Sequence, residues 1–175
     1  MILDAEKLLA MEEFKDMDQE SLVMKLEAIE SLIRSYSNNN FQVRAMRMEA
    51  PSIHGGLLGH SRYFQVGDTV QISQSMVNDG LYVVTEMTDT AVRVDKILYD
   101  SPLNTVTKVA YPPDVQKGAM DMLSWEKDNR KKVGIQSEKL SRHTVTYFNQ
   151  DSDNQVMGYP ASLLGFLRPY MKPRC

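Results

Sequence analysis

The spacing of apolar residues changes twice along this chain. In residues 1–40, and again from residue 112 onward, apolar positions recur every three or four residues, as in helices with one buried face. In residues 41–111 they fall in short alternating runs separated by turn-forming residues, which is typical of strands. The pattern predicts an α+β fold. Residues 1–40 and 112–175 form a small helical bundle, and 41–111 form an inserted β-rich unit, either an SH3-like barrel or a curled sheet.

Two helices are expected before residue 40. Asp4 can cap a first helix that runs to about Phe14. Asp18 or Ser21 starts a second, stronger helix, which ends in the Ser-Asn-Asn-Asn run at 37–40. Its apolar face consists of Leu22, Leu26, Ile29, Ile33 and Tyr36. Because two short helices cannot cover that face alone, we expect later helices to complete the bundle.

The inserted unit is predicted to consist of short strands joined by turns. Turns are expected at Gly67-Asp68, at the dipeptide Asp79-Gly80 and at 102–104. The glycine-rich stretch 51–61 is expected to be a flexible loop. The strands are expected at 41–46, 63–66, 69–73, 81–84, 91–98 and 105–111.

A third helix and an extended arm are predicted after residue 112. Asp114 is placed at the N-cap, and Val115, Ala119, Met122 and Leu123 recur at helical spacing up to a polar run and Gly134. The arm, 135–148, is rich in β-formers but shows no turn sequence inside it. A lone strand exposes backbone groups that pair with another edge, so we expect the arm to join neighbouring subunits. The interface candidates are Ile135, Leu140, Val145, Tyr147 and Phe148.

The chain closes with a further predicted helix. Pro160 fits its first turn, and Pro169 ends it. Its apolar face consists of Leu163, Leu164 and Leu167, with Phe166 alongside.

Residues that carry catalytic or metal chemistry are sparse. None of the histidines His54, His60 and His143 has a metal-ligand partner three or four residues away. The single cysteine, Cys175, gives neither a disulfide framework nor a Cys–His nucleophile. We therefore expect no catalytic residue, no metal and no cofactor.

The charge is slightly acidic and unevenly distributed. The net charge of −3 argues against a protein that grips nucleic-acid phosphates. Residues 1–40 carry −5 and residues 112–175 carry +3, which either favours front-to-back packing of identical subunits or reflects a solvated surface. No apolar run is long enough to span a bilayer, and the N-terminus lacks a signal-peptide pattern, so a cytoplasmic site of synthesis is expected.

Three pieces of the C-terminal half resemble a known family. In order they are WEKDNRKKVG at 125–134, IQSEKLSRHTVTYF at 135–148 and GYPASLLGFLRPYMK at 158–172. This succession resembles the head–tail connector (adaptor) proteins of long-tailed, siphovirus-type bacteriophages. The resemblance covers nearly the whole chain and is most specific over 112–172.

The resemblance implies a structural protein of the virion neck, assembled in the host cytoplasm. Such connectors form homo-oligomeric rings, dodecameric in related proteins, between the capsid portal and the next neck component, and DNA passes through them without sequence-specific binding. Their C-terminal segment docks onto the portal. The matching portal-docking candidates in this chain are Tyr159, Leu163, Leu164, Phe166, Leu167 and Tyr170.

Other functions are compatible with the same sequence. A stopper that blocks the channel with a β-barrel, or another head- or tail-completion protein, shares the β-rich part, although helices at both ends argue against a pure barrel. The inserted unit also suits an SH3-like intracellular interaction module, and an enzyme of unrecognised type is a further alternative. The insertion departs from the simplest all-helical connectors, which leaves open the surface that lines the channel.

Overall fold

The computed structural model describes residues 1–129, 137–140, 143–146 and 155–174. It divides the chain into two compact units. One consists of Met1 and Asn40–Tyr111, and the other of Ile2–Asn39 with Pro112–Cys175. The first unit contains a closed barrel and the second contains the helices, so the predicted α+β class with an inserted barrel-like unit is confirmed.

Six antiparallel strands close the barrel in the order β1-β2-β5-β4-β3-β6. Their bounds are β1 Gln42–Ile53, β2 Gly56–Leu58, β3 Thr69–Ser73, β4 Gly80–Met87, β5 Ala91–Val94 and β6 Ser101–Val109. Alternate residues point inward, as Val70 and Ile72 do in β3. The barrel core consists of Ala50, Leu57, Phe64, Val70, Ile72, Val84, Val92, Leu98 and Val106.

Two predictions for the barrel's first half are wrong. The stretch 51–61 is not a loop, because it holds the end of β1 and all of β2. His54 and Gly55 form the two-residue connection, both with positive φ (51° and 80°), as hairpin turns of this length require. Residues 63–66 are not a strand but two successive turns, and the apolar pattern there reflects Phe64, which enters the barrel core.

Two predicted turns of the barrel are also wrong. Asp79-Gly80 is not a two-residue hairpin turn, because Gly80 pairs with Ile72 and the connection is longer. The turn at 102–104 lies inside β6, where an irregular register next to Ser52 accommodates Pro102 without a ladder hydrogen bond from its nitrogen.

The helices are α1 Ala5–Leu9, α2 Gln19–Ser37 and α3 Pro113–Asn129. Asp4 caps α1 by accepting from the N–H groups of Glu6 and Lys7, and Asp18 caps α2 by accepting from the N–H of Ser21. Asn38 ends α2 in the left-handed conformation (φ 49°). These caps agree with the sequence, but α1 is shorter than predicted because turns follow it and bury Phe14.

The C-terminal part differs most from expectation. It contains β7 Ser137–Leu140 and β8 His143–Thr146, the short pair β9 Gln155–Val156 and β10 Tyr159–Pro160, and a 3₁₀ segment, Ala161–Tyr170. The prediction of a lone, unpaired arm is therefore wrong, because β7 and β8 form an antiparallel hairpin. The two residues between them in the sequence, Ser-Arg, are not the Gly or Asn that usually mark such a turn. The final helix is 3₁₀ rather than α-helical, and Pro169 removes one helical N–H donor from it.

Asp114 is also not the N-cap of α3, which begins one residue earlier at Pro113, a favourable first helical residue. Three interface candidates, Ile135, Tyr147 and Phe148, and the predicted cap at Gly134 lie outside the described residues. Within the described part of the chain, no helix is long and apolar enough to cross a membrane.

Candidate functional site

The β7–β8 hairpin is the first candidate for contact with another chain. Leu140 pairs with His143 and Glu138 pairs with Val145, so by register Leu140 and Val145 belong to one face. Among the described strands, β7 and β8 pair with each other and with no third strand. An isolated two-stranded hairpin is at best marginally stable in water, and its outer edges offer backbone groups for pairing.

The C-terminal portal-docking candidates begin at Tyr159, which anchors β10 within the helical unit. Tyr159 is 4% exposed, its hydroxyl donates to the carboxylate of Glu126, and its ring lies 5.4 Å from that of Trp125. Glu126 also forms an ion pair with Lys25 at 3.3 Å, and both side chains are largely buried. This cluster joins α2, α3 and β10.

The 3₁₀ segment packs against α3 through a close approach. Gly118 lies inside α3, and a Cβ built on it would meet ring atoms of Phe166 at 2.4–2.5 Å. The ring therefore occupies the space that a larger residue would fill. Leu164 and Leu167 are buried, and Leu163 is half-buried.

The end of the segment is fastened by polar contacts. The hydroxyl of Tyr170 donates to the carboxylate of Asp114, at 2.9 and 2.8 Å to its two oxygens. That hydrogen bond, assisted by desolvation and the negative charge, raises the pKa of the Tyr170 phenol. Asn39 donates its amide to the carbonyl of Tyr170 at 3.0 Å, and the N–H of Lys172 donates to the carbonyl of Ser37 at 2.8 Å.

The structure therefore brings all six portal-docking candidates together, but in contact with the chain's own helices. Tyr159, Leu164 and Leu167 are buried there, whereas Ser162, Arg168 and the backbone around them are exposed. Whether this segment docks onto a portal stays a prediction.

A second candidate surface, which the sequence did not indicate, lies at one end of the barrel. We call it the barrel tip: the end of β1 with its connection to β2 (53–55), the connection between β3 and β4 (74–79) and the connection between β5 and β6 (95–100). Antiparallel strand order places these three connections at the same end. Its exposed apolar side chains are Ile53, Met76, Val77, Ile97 and Tyr99.

A buried polar network holds the tip together. Asn78 is 1% exposed and donates to the carbonyl of Tyr99 at 2.9 Å and to Oδ1 of Asn104 at 3.0 Å. Its own Oδ1 accepts from the N–H of Tyr99 at 2.8 Å. Ser52 Oγ donates to the same Tyr99 carbonyl at 2.7 Å, so one asparagine and one serine fix the connection that carries Tyr99.

The connection between β3 and β4 is held in an unusual backbone conformation. Gln74 and Met76 have positive φ (63° and 67°), which non-glycine residues adopt only when their surroundings impose it. Asp79 supplies part of that constraint by accepting from the N–H and the hydroxyl of Ser75 at 2.8 and 2.7 Å. The hydrogen bond from the Ser75 hydroxyl is the main reason why the pKa of the Asp79 carboxyl is lowered.

Metal and small-molecule sites find little support in the described residues. His54 and His60 are exposed, and no group of three or more His, Cys, Asp or Glu side chains is placed to hold a metal ion among the residues that were described. An open groove of about 470 Å³ beside the barrel tip is lined by both charged and apolar residues, including Arg93, Asp95 and Ile97.

No family model, no curated protein sequence and no solved structure matches the chain.

Proposed function

We propose that this chain is a structural protein of a phage neck, a ring-forming head–tail connector that joins the capsid portal to the next neck component and lets DNA pass. The observation that carries the proposal is the β7–β8 hairpin, a two-stranded sheet that pairs with no third described strand. The pieces of sequence that resemble connectors surround and include it: the end of α3, the hairpin, and the segment that follows β9.

The hairpin suits an interface between subunits for a physical reason. A two-stranded sheet gains little stability by itself, whereas a neighbour's edge or apolar surface supplies the missing contacts. In a closed ring each such contact is repeated at every interface, so a modest gain per subunit becomes a large gain for the assembly. Leu140 and Val145, on one face by register, supply the apolar part.

The C-terminal segment suits the portal side of such a ring. It is fastened to α3 by Tyr159, Phe166 and Tyr170, so its outward side is presented on a defined support. We assign portal contact to that outward side, including Ser162 and Arg168, rather than to the buried leucines. The slightly acidic chain, with a net charge of −3, avoids strong phosphate contacts that would hold passing DNA.

The proposal is tested by co-purification with the portal protein encoded in the same genome. We expect wild-type protein to form a ring on the portal, visible by electron microscopy. Val145→Asp should abolish the ring while the far-ultraviolet dichroism of the chain stays near normal, because a charge is placed on the expected contact face. Thr144→Asp, on the other face of the same strand by register, is the matched control and should assemble. The proposal would be contradicted if portal did not retain the chain during co-purification, or if the Val145→Asp variant formed rings as abundantly as wild type.

A second candidate function is an intracellular interaction module. The closed barrel with apolar side chains exposed at its tip favours it, since exposed apolar patches mark contact surfaces. Such a module would stay monomeric in the presence of portal. A stopper would instead use the barrel to block the channel, so rings carrying it would exclude DNA in electron micrographs.

A further inference from the structure

We infer that the barrel tip of one copy receives residues 130–148 of a second copy, a stretch that contains β7 and β8 and that we call the arm segment. This inference rests on the proposed ring, and it names the surface that the hairpin contacts there. It brings the exposed apolar side chains of the tip together with a two-stranded sheet that pairs with no third described strand.

Several large apolar side chains of the tip are exposed to solvent. Met76 is 95% exposed and Ile97 is 86% exposed, and Tyr99 and Val77 lie on the same connections. Large apolar side chains that cluster at such exposure are typical of contact surfaces rather than of ordinary loops.

The tip is also held ready for contact. Asn78 and Ser52 fix the connection that carries Tyr99, and Asp79 fixes the one that carries Met76. Because these hydrogen bonds order the backbone before any partner arrives, less conformational entropy is lost on binding. Met76 has a left-handed conformation (φ 67°), which is unusual for a residue whose side chain offers no local hydrogen bond.

Charge identifies the occupant. The tip carries three aspartates and one lysine: Asp79, Asp95, Asp100 and Lys96. The arm segment carries five basic residues and one acid: Arg130, Lys131, Lys132, Lys139, Arg142 and Glu138. It also combines this positive charge with β-forming apolar residues such as Val145, so it matches an acidic, apolar surface in both respects.

The experiment uses the full chain assembled on portal. A photoreactive benzoylphenylalanine replaces Ile97, and ¹⁵N-labelled and unlabelled copies are mixed before assembly and irradiation. We expect cross-links from position 97 to peptides within 130–148, in pairs that join one labelled and one unlabelled copy. The same probe at Val66, which is also exposed but lies on the connection between β2 and β3 at the opposite end of the barrel, is the control and should not capture the arm segment.

Two variants test the apolar and charged parts separately. Met76→Ser with Ile97→Ser should raise the concentration needed for assembly by about tenfold or more, whereas Met24→Ser, an exposed methionine of α2, should not. Lys131→Glu with Lys132→Glu should weaken assembly relative to wild type, and this difference between variant and wild type should shrink at high salt, because salt screens the attraction between opposite charges.

The outcomes separate this inference from the function it rests on. If rings form on portal but position 97 captures the same copy, the portal, or another region, the inference is wrong and the connector function stands. If the chain joins neither itself nor portal, both are wrong. Cross-links that join a labelled copy to residues 130–148 of an unlabelled copy, together with weakened assembly of the variant carrying Met76→Ser and Ile97→Ser, would support the inference.

Discussion

Gly118→Ala is the substitution for which the structure makes the sharpest energetic prediction. Gly118 is buried inside α3, and a Cβ there would lie 2.4–2.5 Å from the ring of Phe166. Alanine is a better helix former than glycine by about 1 kcal/mol, so the substitution would ordinarily stabilise a helix. Overpacking a filled site costs about 1–3 kcal/mol, which outweighs that gain. We therefore expect a net loss of about 1 kcal/mol in the free energy of unfolding of the helical unit.

A double-mutant cycle isolates the cause. In a Phe166→Ala background the clash is gone, so Gly118→Ala should now stabilise α3 by about 0.5–1 kcal/mol. The two substitutions should thus be coupled by about 1–3 kcal/mol, with a change of sign between backgrounds. Urea unfolding of the four proteins, followed by helix dichroism, measures each term. If Gly118→Ala stabilises the wild-type chain as much as the Phe166→Ala chain, the 3₁₀ segment does not pack on α3 as described.

Three further predictions address other parts of the molecule. Asn78→Ala should lower the free energy of unfolding of the barrel unit by about 2–3 kcal/mol, measured in urea, because buried partners such as Asn104 lose their hydrogen bonds. A near-neutral result would show that the network does not hold the tip. Tyr170 should titrate at higher pH than an ordinary tyrosine in an ultraviolet titration, and Tyr170→Phe should reduce the late step that it shares with Tyr82, whose pKa is raised by burial. Since the pKa of Tyr170 is raised in the folded state, its hydrogen bond to Asp114 stabilises the fold fully below the unfolded pKa near 10, and this stabilisation is lost as pH rises through the folded pKa. A difference in stability between Tyr170→Phe and wild type that grew with rising pH would contradict this prediction.

The sequence predicted the parts of the fold that depend on local patterns. The apolar period changes at residues 41 and 112, and the two structural units divide between Asn39 and Asn40 and between Tyr111 and Pro112. Asp4, Asp18 and Asn38 marked helix ends because capping is a property of a few neighbouring residues.

Features that depend on distant partners escaped prediction. Phe64 looked like part of a strand because its apolar side chain fills the barrel core from a turn. Ser141 and Arg142, which lie between β7 and β8 in the sequence, are not residues typical of a hairpin, so the pairing of the two strands could not be predicted from them. The barrel tip depends on Asn78, which is buried where its side chain meets Ser52, Tyr99 and Asn104.

The proposed connector function predicts a specific gain in mass when the chain binds portal. The mass of portal particles should be measured by light scattering or mass photometry before and after the purified chain is added. The proposed ring of roughly twelve copies of this 20.0 kDa chain predicts a gain of about 240 kDa at saturation, with free chain left over at higher ratios. A portal mass that does not change, with the chain remaining at 20.0 kDa at every ratio, would contradict the proposal.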